Sequence, residues 1–332
     1  MTYLPFPSSS ANETLLNTLS DELKLKPYQI QKALELMRFG LPPLATIQTL
    51  SYLLGVSDGI LYQMAKYPER YYRIYHIQKK SGGERQIESP KIILKVVQRW
   101  IYYNILIKVN LSESVNGFIP GKNIFTNAKA HTNSKNLMVI DIHNFFPSIT
   151  KRRVFYIFKK LGFTVRVAYL LSGLCTFDGR LPQGAPTSPM LANLAFASSD
   201  THLKDIAERW GCVYSRYADD LAFSGDRHFN NKDIHLISEI LGDNGFQINN
   251  SKSRILGKGS RQMIAGLVIS NYALPPREKR RKWRALFHNT ANNPKEINKT
   301  TAQLRGIASF VKQYNPSLAS NYFDIANKTA DK

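Results

Sequence analysis

Two adjacent acids, Asp219 and Asp220, close the tetrapeptide Tyr217-Ala218-Asp219-Asp220. Strand-like runs flank it, Val213-Tyr214-Ser215 before and Leu221-Ala222-Phe223-Ser224 after. Two hydrated anions at such a hinge are costly to bury, and a divalent cation is the usual compensation. Carboxylate oxygens suit Mg²⁺, which keeps other coordination positions for water and substrate phosphates. Taken alone, the stretch reads equally well as an ordinary hairpin with an Asp-Asp turn. A third acid shifts that balance. Leu137-Met138-Val139-Ile140-Asp141-Ile142 is an apolar run broken by one carboxylate, the pattern of a fully buried strand. Set beside the Asp219-Asp220 hairpin, that strand would bring three carboxylates together, as two-metal phosphoryl transfer requires.

The motifs and their order resemble those of a reverse transcriptase of the bacterial retron type, from about Tyr72 to Leu267. Polymerase motif A corresponds to Asp141 through Phe146, motif B to Leu181-Pro182-Gln183-Gly184-Ala185-Pro186-Thr187-Ser188-Pro189, and motif C to Tyr-Ala-Asp-Asp. Asn127-Ala128-Lys129-Ala130-His131 matches the retron signature Asn-Ala-x-x-His. The resemblance implies an RNA-directed DNA polymerase whose Asp141, Asp219 and Asp220 are catalytic and bind two Mg²⁺ ions, with Mn²⁺ an alternative. It implies that Phe146 excludes a ribose 2′-OH, that Gln183 lies over the incoming nucleotide, and that Lys79, Lys80 and Arg85 grip its triphosphate. Which lysine does so stays open. Lys252, in Asn249-Asn250-Ser251-Lys252, corresponds to motif D and a proton donor to pyrophosphate; an exposed loop lysine is the competing reading. Asn127 and His131 would serve the cognate RNA, unless they are simply satisfied within a helix turn. Arg277, Arg280, Arg281, Trp283 and Arg284 fit a helix tracking a nucleic-acid backbone. Ile264-Ala265-Gly266 stands where retron enzymes carry Val-Thr-Gly, so one hydroxyl is lost.

The expected fold is α+β, a right-hand polymerase with an antiparallel palm sheet and helical ends. Residues 1–70 form a helical lead-in, 71–136 fingers, 137–270 palm with finger elements inserted near 150–185, and 271–332 a basic helical thumb. The lead-in opens with a capping box at Ser10-Ala11-Asn12-Glu13 before Leu15, Leu16, Leu19 and Leu23. Tyr72 to Ile77 and Gln86 to Glu88 read as a hairpin with a basic tip. Lys91 to Lys108 reads as one helix with Ile92, Ile93, Val96, Val97, Trp100, Ile101 and Ile105 inward. Thr150 caps the next helix, and Pro276 to Asn327 is helical.

Composition agrees with a polyanionic partner. Among 332 residues, 45 are Lys or Arg and 24 Asp or Glu, a formal charge of +21, and neutralised phosphates release counterions. Apolar residues make up 43%, which indicates a globular chain. No apolar run reaches the ~20 residues of a spanning helix, and no signal-peptide pattern opens the chain. Cys175 and Cys212 are far apart, which argues against structural zinc or a disulfide framework. The expectation is a soluble cytoplasmic protein with no membrane contact. Gly117 to Asn123 is too short for a P-loop, and Gly257-Lys258-Gly259 lacks a dinucleotide fingerprint.

The resemblance further implies a cognate noncoding RNA of the msr-msd type, its single-stranded, 2′-5′ branched RNA-linked DNA product (msDNA), dNTPs, an effector protein from the same operon, and a role in antiphage defence. Another bacterial reverse transcriptase, of the abortive-infection or intron type, is one alternative. A non-catalytic RNA-binding assembly module with the same fold is another. Retention of all three carboxylates argues against the module, and Asn127-Ala128 with His131 argues for the retron branch.

Overall fold

Apolar residues at helical spacing shape the beginning of the chain. The protein is described here by a computed structural model covering residues 9–78, 82–292 and 299–328. Four helices lead in: α1 (Ser9–Leu23), α2 (Pro27–Arg38), α3 (Ile47–Leu54) and α4 (Asp58–Lys66). They bury Leu16, Leu19, Leu36, Leu50, Leu61 and Met64. Helix α1 begins at Ser9, so Ser10 lies inside it rather than capping it. The hairpin of β1 (Tyr72–Gln78) and β2 (Glu84–Pro90) follows, with Tyr72 opposite Pro90 and Ile77 opposite Arg85.

Helix α5 (Ile92–Asn104) ends earlier than its apolar run suggests, and a 3₁₀ turn covers Leu106–Lys108. Its inward seam is Leu94, Val97, Gln98, Ile101 and Asn104. Ile92 and Ile93 are 83% and 42% exposed, against expectation. The 3.6-residue period that turns Leu94 and Val97 inward turns these first two residues out. The inward Gln98 amide donates to the Tyr72 hydroxyl and the Leu174 carbonyl, both at 2.8 Å.

The remaining elements are α6 (Ile124–Lys129), β3 (Asn136–Asp141), α7 (Lys151–Lys160), α8 (Val165–Leu174), α9 (Ser188–Arg209), β4 (Val213–Tyr217), β5 (Asp220–Gly225) and α10 (Asn231–Asp243). After them come β6 (Arg254–Leu256), β7 (Met263–Ile264), β8 (Leu267–Ile269), β9 (Ala273–Leu274), α11 (Arg277–Asn292), α12 (Thr301–Lys312) and α13 (Pro316–Lys328). Thr150 caps α7 by accepting from the Arg153 N–H.

The chain divides into two compact units, each built from three stretches. The first comprises Met1–Val115, Ile142–His202 and Ser238–Ile248. Its aromatic core joins Phe145, Phe196 and Phe246, with ring centroids 4.8 to 6.0 Å apart. Buried Glu88 in β2 takes a two-pronged hydrogen bond from Arg180, at 2.6 and 2.9 Å. Such a pair satisfies a carboxylate that could not otherwise leave water cheaply.

The second comprises Asn116–Asp141, Leu203–Ile237 and Asn249–Lys332. Its centre is a four-stranded antiparallel sheet in the order β4-β5-β3-β6. All six residues of β3 are buried, as its apolar run requires. A smaller antiparallel sheet, β7-β8-β9, adds Ile264, Leu267 and Ile269 to a core shared with Leu137, Val139 and Ala222. Helices α11 to α13 close around Phe287, Leu304, Val311 and Tyr322, with the Phe287 and Tyr322 rings stacked at 3.8 Å. The fold is therefore mixed helix and sheet with antiparallel pairing. Among the described residues, no helix is long and apolar enough to cross a membrane.

Candidate active site

Antiparallel pairing of β3 with β5 fixes the central geometry. Asp141, the last residue of β3, lies opposite Asp220, the first of β5. Tyr217 at the end of β4 also pairs with Asp220, which leaves Ala218 and Asp219 as a two-residue turn. The hydrogen-bonded register thus brings Asp141 and Asp220 to one end of the sheet, with Asp219 beside them in sequence.

The electrostatics follow from that placement. Burial, then the negative charges of Asp219 and Asp141, push the Asp220 carboxyl up to about 6, against the smaller opposing effects of Lys252 and Arg254. The Lys252 ammonium donates to both oxygens of Asp141, at 3.0 and 3.1 Å. The Asn249 N–H donates to the Asp141 backbone carbonyl at 2.7 Å, which anchors the loop that carries Lys252. Lys252 is still largely exposed, but its head is placed on a carboxylate. Among the described residues, no three His, Cys, Asp or Glu side chains are gathered tightly enough to enclose an ion. The three aspartates act on each other through their field, and their hard oxygens with excess negative charge fit Mg²⁺ chemistry.

The turn itself is held by two features the sequence reading missed. Ala218 has φ +58°, a left-handed conformation costly for a residue with a Cβ. Arg216, fully buried, donates from Nη1 to the Ala218 carbonyl at 3.1 Å. The Asn116 N–H donates to the Arg216 carbonyl at 2.8 Å, bringing the next residue, Gly117, against the turn. A Cβ at Gly117 would stand 2.4 Å from the Ala218 nitrogen and 3.1 Å from the Tyr217 carbonyl carbon. Arg216 carried a signal: it is a lone cation within a strand that must bury its neighbours. Gly117 carried none beyond its rejected place in a P-loop pattern.

Asn127 and His131 both point into the interior. His131 bridges the sheet behind the hairpin, with Nδ1 2.7 Å from Ser224 Oγ and Nε2 2.6 Å from Ser215 Oγ. Burial lowers its pKa to about 4. Asn127 in α6 is 1% exposed, and neither polar atom of its side chain has a protein partner. Neither side chain reaches the surface, so the satisfied-residue reading describes His131 and leaves Asn127 buried and unmatched.

Other expected site residues are distributed as follows. Phe145 belongs to the aromatic core, and Phe146 is half-buried, its ring 5.7 Å from that of Phe145. The Gln183 carbonyl accepts from the Glu88 N–H at 2.8 Å. Gly184, at φ +135°, has no room for a Cβ, which would fall 2.8 Å from the Glu88 carbonyl. Arg85 is exposed but stands in β2 rather than at the tip, because the ladder continues to the Gln78–Glu84 pair. Lys79 and Lys80 lie outside the described residues. Arg277, Arg281 and Arg284 are exposed on α11, whereas Arg280 donates from Nε to the Pro275 carbonyl at 3.0 Å. Trp283 is half-buried against Phe310 at 5.4 Å, beneath Lys279. In the β7–β8 hairpin, Ala265 (φ +46°) and Gly266 (φ +80°) form the turn, which suits their left-handed conformations.

Comparison with known proteins agrees with this arrangement. The family description "Reverse transcriptase (RNA-dependent DNA polymerase)" matches residues 77–269. The chain is 33% identical over 308 residues to the retron Mx65 reverse transcriptase of Myxococcus xanthus, spanning 86% of this chain and 72% of that protein. It is 33% identical over 268 residues to the retron Ec86 reverse transcriptase of Escherichia coli, spanning 80% and 84% respectively. It is also 33% identical over 318 residues to the retron Mx162 reverse transcriptase of Myxococcus xanthus, spanning 84% and 66%.

Two outcomes follow from the packing behind the turn. Gly117→Ala lowers stability by roughly 1–3 kcal/mol through overpacking, read by urea denaturation. Gly259→Ala, where a Cβ meets nothing within 4 Å, is the control and shifts the midpoint little. For His131, the unfolded chain takes up a proton near 6.5 while the fold resists until about 4. Its contribution is intact above the upper value and is lost as pH falls through that window. His131→Gln therefore flattens the fall in melting temperature between those pH values, and an unchanged slope would refute the assignment.

Proposed function

The chain belongs to the reverse transcriptase family, in its bacterial retron branch, and is an RNA-directed DNA polymerase; from that premise we propose that Asp141, Asp219 and Asp220 form its catalytic metal site. The supporting observation is the β3–β5 register, which pairs Asp141 with Asp220 next to the Asp219 turn. Residues 71–136, 137–270 and 271–332 correspond in this reading to fingers, palm and thumb of a right-hand polymerase. The β4-β5-β3-β6 sheet is the palm surface.

Two Mg²⁺ ions, or Mn²⁺, when held by these carboxylates, supply the lowered pKa of a primer hydroxyl and the charge that stabilises departing pyrophosphate. Everything else is work for the chain's own groups. Arg216 and Gly117 keep the Asp219 turn in place. Lys252 neutralises Asp141 before substrate arrives and serves as the proton donor to pyrophosphate. Phe146 is a steric gate that rejects a ribose 2′-OH, Gln183 lies over the incoming nucleotide, and Arg85 with Lys79 or Lys80 holds its triphosphate. The exposed arginines of α11 track the template-primer backbone, while Asn127 and His131 shape the sheet from within.

The substrate in this reading is a structured noncoding RNA of the msr-msd type, copied with dNTPs into single-stranded msDNA. Synthesis from an internal 2′-OH would give a 2′-5′ branched RNA–DNA product. An effector protein from the same operon and an antiphage role complete the proposal, with the enzyme in the cytoplasm.

Primer extension on poly(rA)·oligo(dT) tests the site directly. Asp219→Ala/Asp220→Ala abolishes dTTP incorporation while leaving the fold intact by circular dichroism; residual extension at the wild-type rate would remove these residues from the chemistry. Phe146→Ala is expected to raise incorporation of ribonucleotides relative to dNTPs. Unchanged discrimination would show that the gate lies elsewhere.

A further inference from the structure

We propose that α7 and α8 together form a binding surface for single-stranded RNA, separate from the residues assigned above. The proposal rests on the reading of the chain as an RNA-using polymerase. From Ile142 to Phe177 the sequence holds six Lys or Arg residues and no Asp or Glu. Two of the six have internal duties. Arg153 donates to the Asn244 and Ala195 carbonyls, both at 2.7 Å, and Lys159 donates to the Phe163 carbonyl at 3.2 Å.

The other four, Lys151, Arg152, Lys160 and Arg166, have no carboxylate partner among the described residues. Two of them lie over aromatic rings instead. Lys151 Nζ crosses from α7 to stand 4.8 Å from the Tyr169 ring on α8, and the Arg152 guanidinium stands 5.8 Å from Tyr156, one turn along. Both rings are open to solvent, Tyr156 being 50% and Tyr169 61% exposed. Arg152, Tyr156 and Lys160 recur every fourth residue and so form one stripe along α7, about 12 Å long.

Unpaired cations interleaved with exposed aromatic faces match one ligand chemistry: a phosphate backbone with unstacked bases. Cations set over rings also leave a stacking base flanked by positive charge. A duplex, whose bases are already stacked, would leave the tyrosines unused. RNA is the strand the enzyme must engage before any DNA exists, so single-stranded RNA is the occupant this surface fits.

Fluorescence anisotropy of a labelled oligouridylate, measured with the full chain over a KCl series and without dNTPs, tests the assignment. Lys151→Ala/Arg152→Ala/Lys160→Ala/Arg166→Ala is expected to flatten the slope of log affinity against log salt by up to about 3, since each lost single-strand phosphate contact removes ~0.7. Tyr156→Ala/Tyr169→Ala is expected to weaken binding by about thirtyfold or more with little change in slope. Tyr156→Phe/Tyr169→Phe keeps the rings and is expected to bind as wild type, which guards against a folding artefact. Unchanged RNA affinity and slope in the alanine variants overturn the proposal, as does an effect confined to oligodeoxyuridylate. Extension of poly(rA)·oligo(dT) is run alongside on the wild type. Its failure there would count against the polymerase reading, while the binding comparison would still be decided by its own data.

Discussion

Like charges facing each other across a buried strand pair are the constraint on which the rest of the second unit depends. The ladder between β3 and β5 sets Asp141 opposite Asp220, and no side-chain rearrangement can undo a backbone register. Burial first, and then this repulsion, raise the pKa of Asp220. Lys252 partly answers it from a loop whose position is itself fixed by the Asp141 carbonyl. Three carboxylates this close need a compensating cation in the folded chain, and Lys252 supplies one from a largely exposed side chain.

The turn that carries Asp219 illustrates how such a site is kept in place. A left-handed alanine is a small store of strain, and strain persists only where surroundings over-determine the conformation. Here the Arg216 guanidinium holds the turn's carbonyl, and the Gly117 backbone leaves it no room to relax on that side. The position of the acids is thus set by groups that carry no negative charge.

Much of this was legible in the sequence. The unbroken apolar run of β3 announced both its burial and its delivery of Asp141, and the acidic pair between two strand-like runs announced the hairpin. Capping chemistry marked the start of α7 at Thr150, while Ser10 lies inside α1 and α5 stops short of its apolar run. What stayed hidden was direction and long-range contact. The Asn127–His131 signature gave residue types without saying that both side chains face the core. The apolar count in α5 could not say that Ile92 and Ile93 fall in a first turn facing out. Gly117 matters through Ala218, far along the chain, and local pattern holds no trace of such a meeting. Glu88 reads in sequence as part of a returning strand, yet its carboxylate is buried and matched by an arginine ninety-two positions away.

That last pairing has a mechanical consequence. The foot of the β1–β2 hairpin is joined to the motif B loop by the Arg180 fork, by the Gln183 carbonyl and by the close approach of Gly184. Strand and loop therefore share one rigid footing, and neither can tilt without levering the other. The base of the hairpin thus serves as a fixed fulcrum.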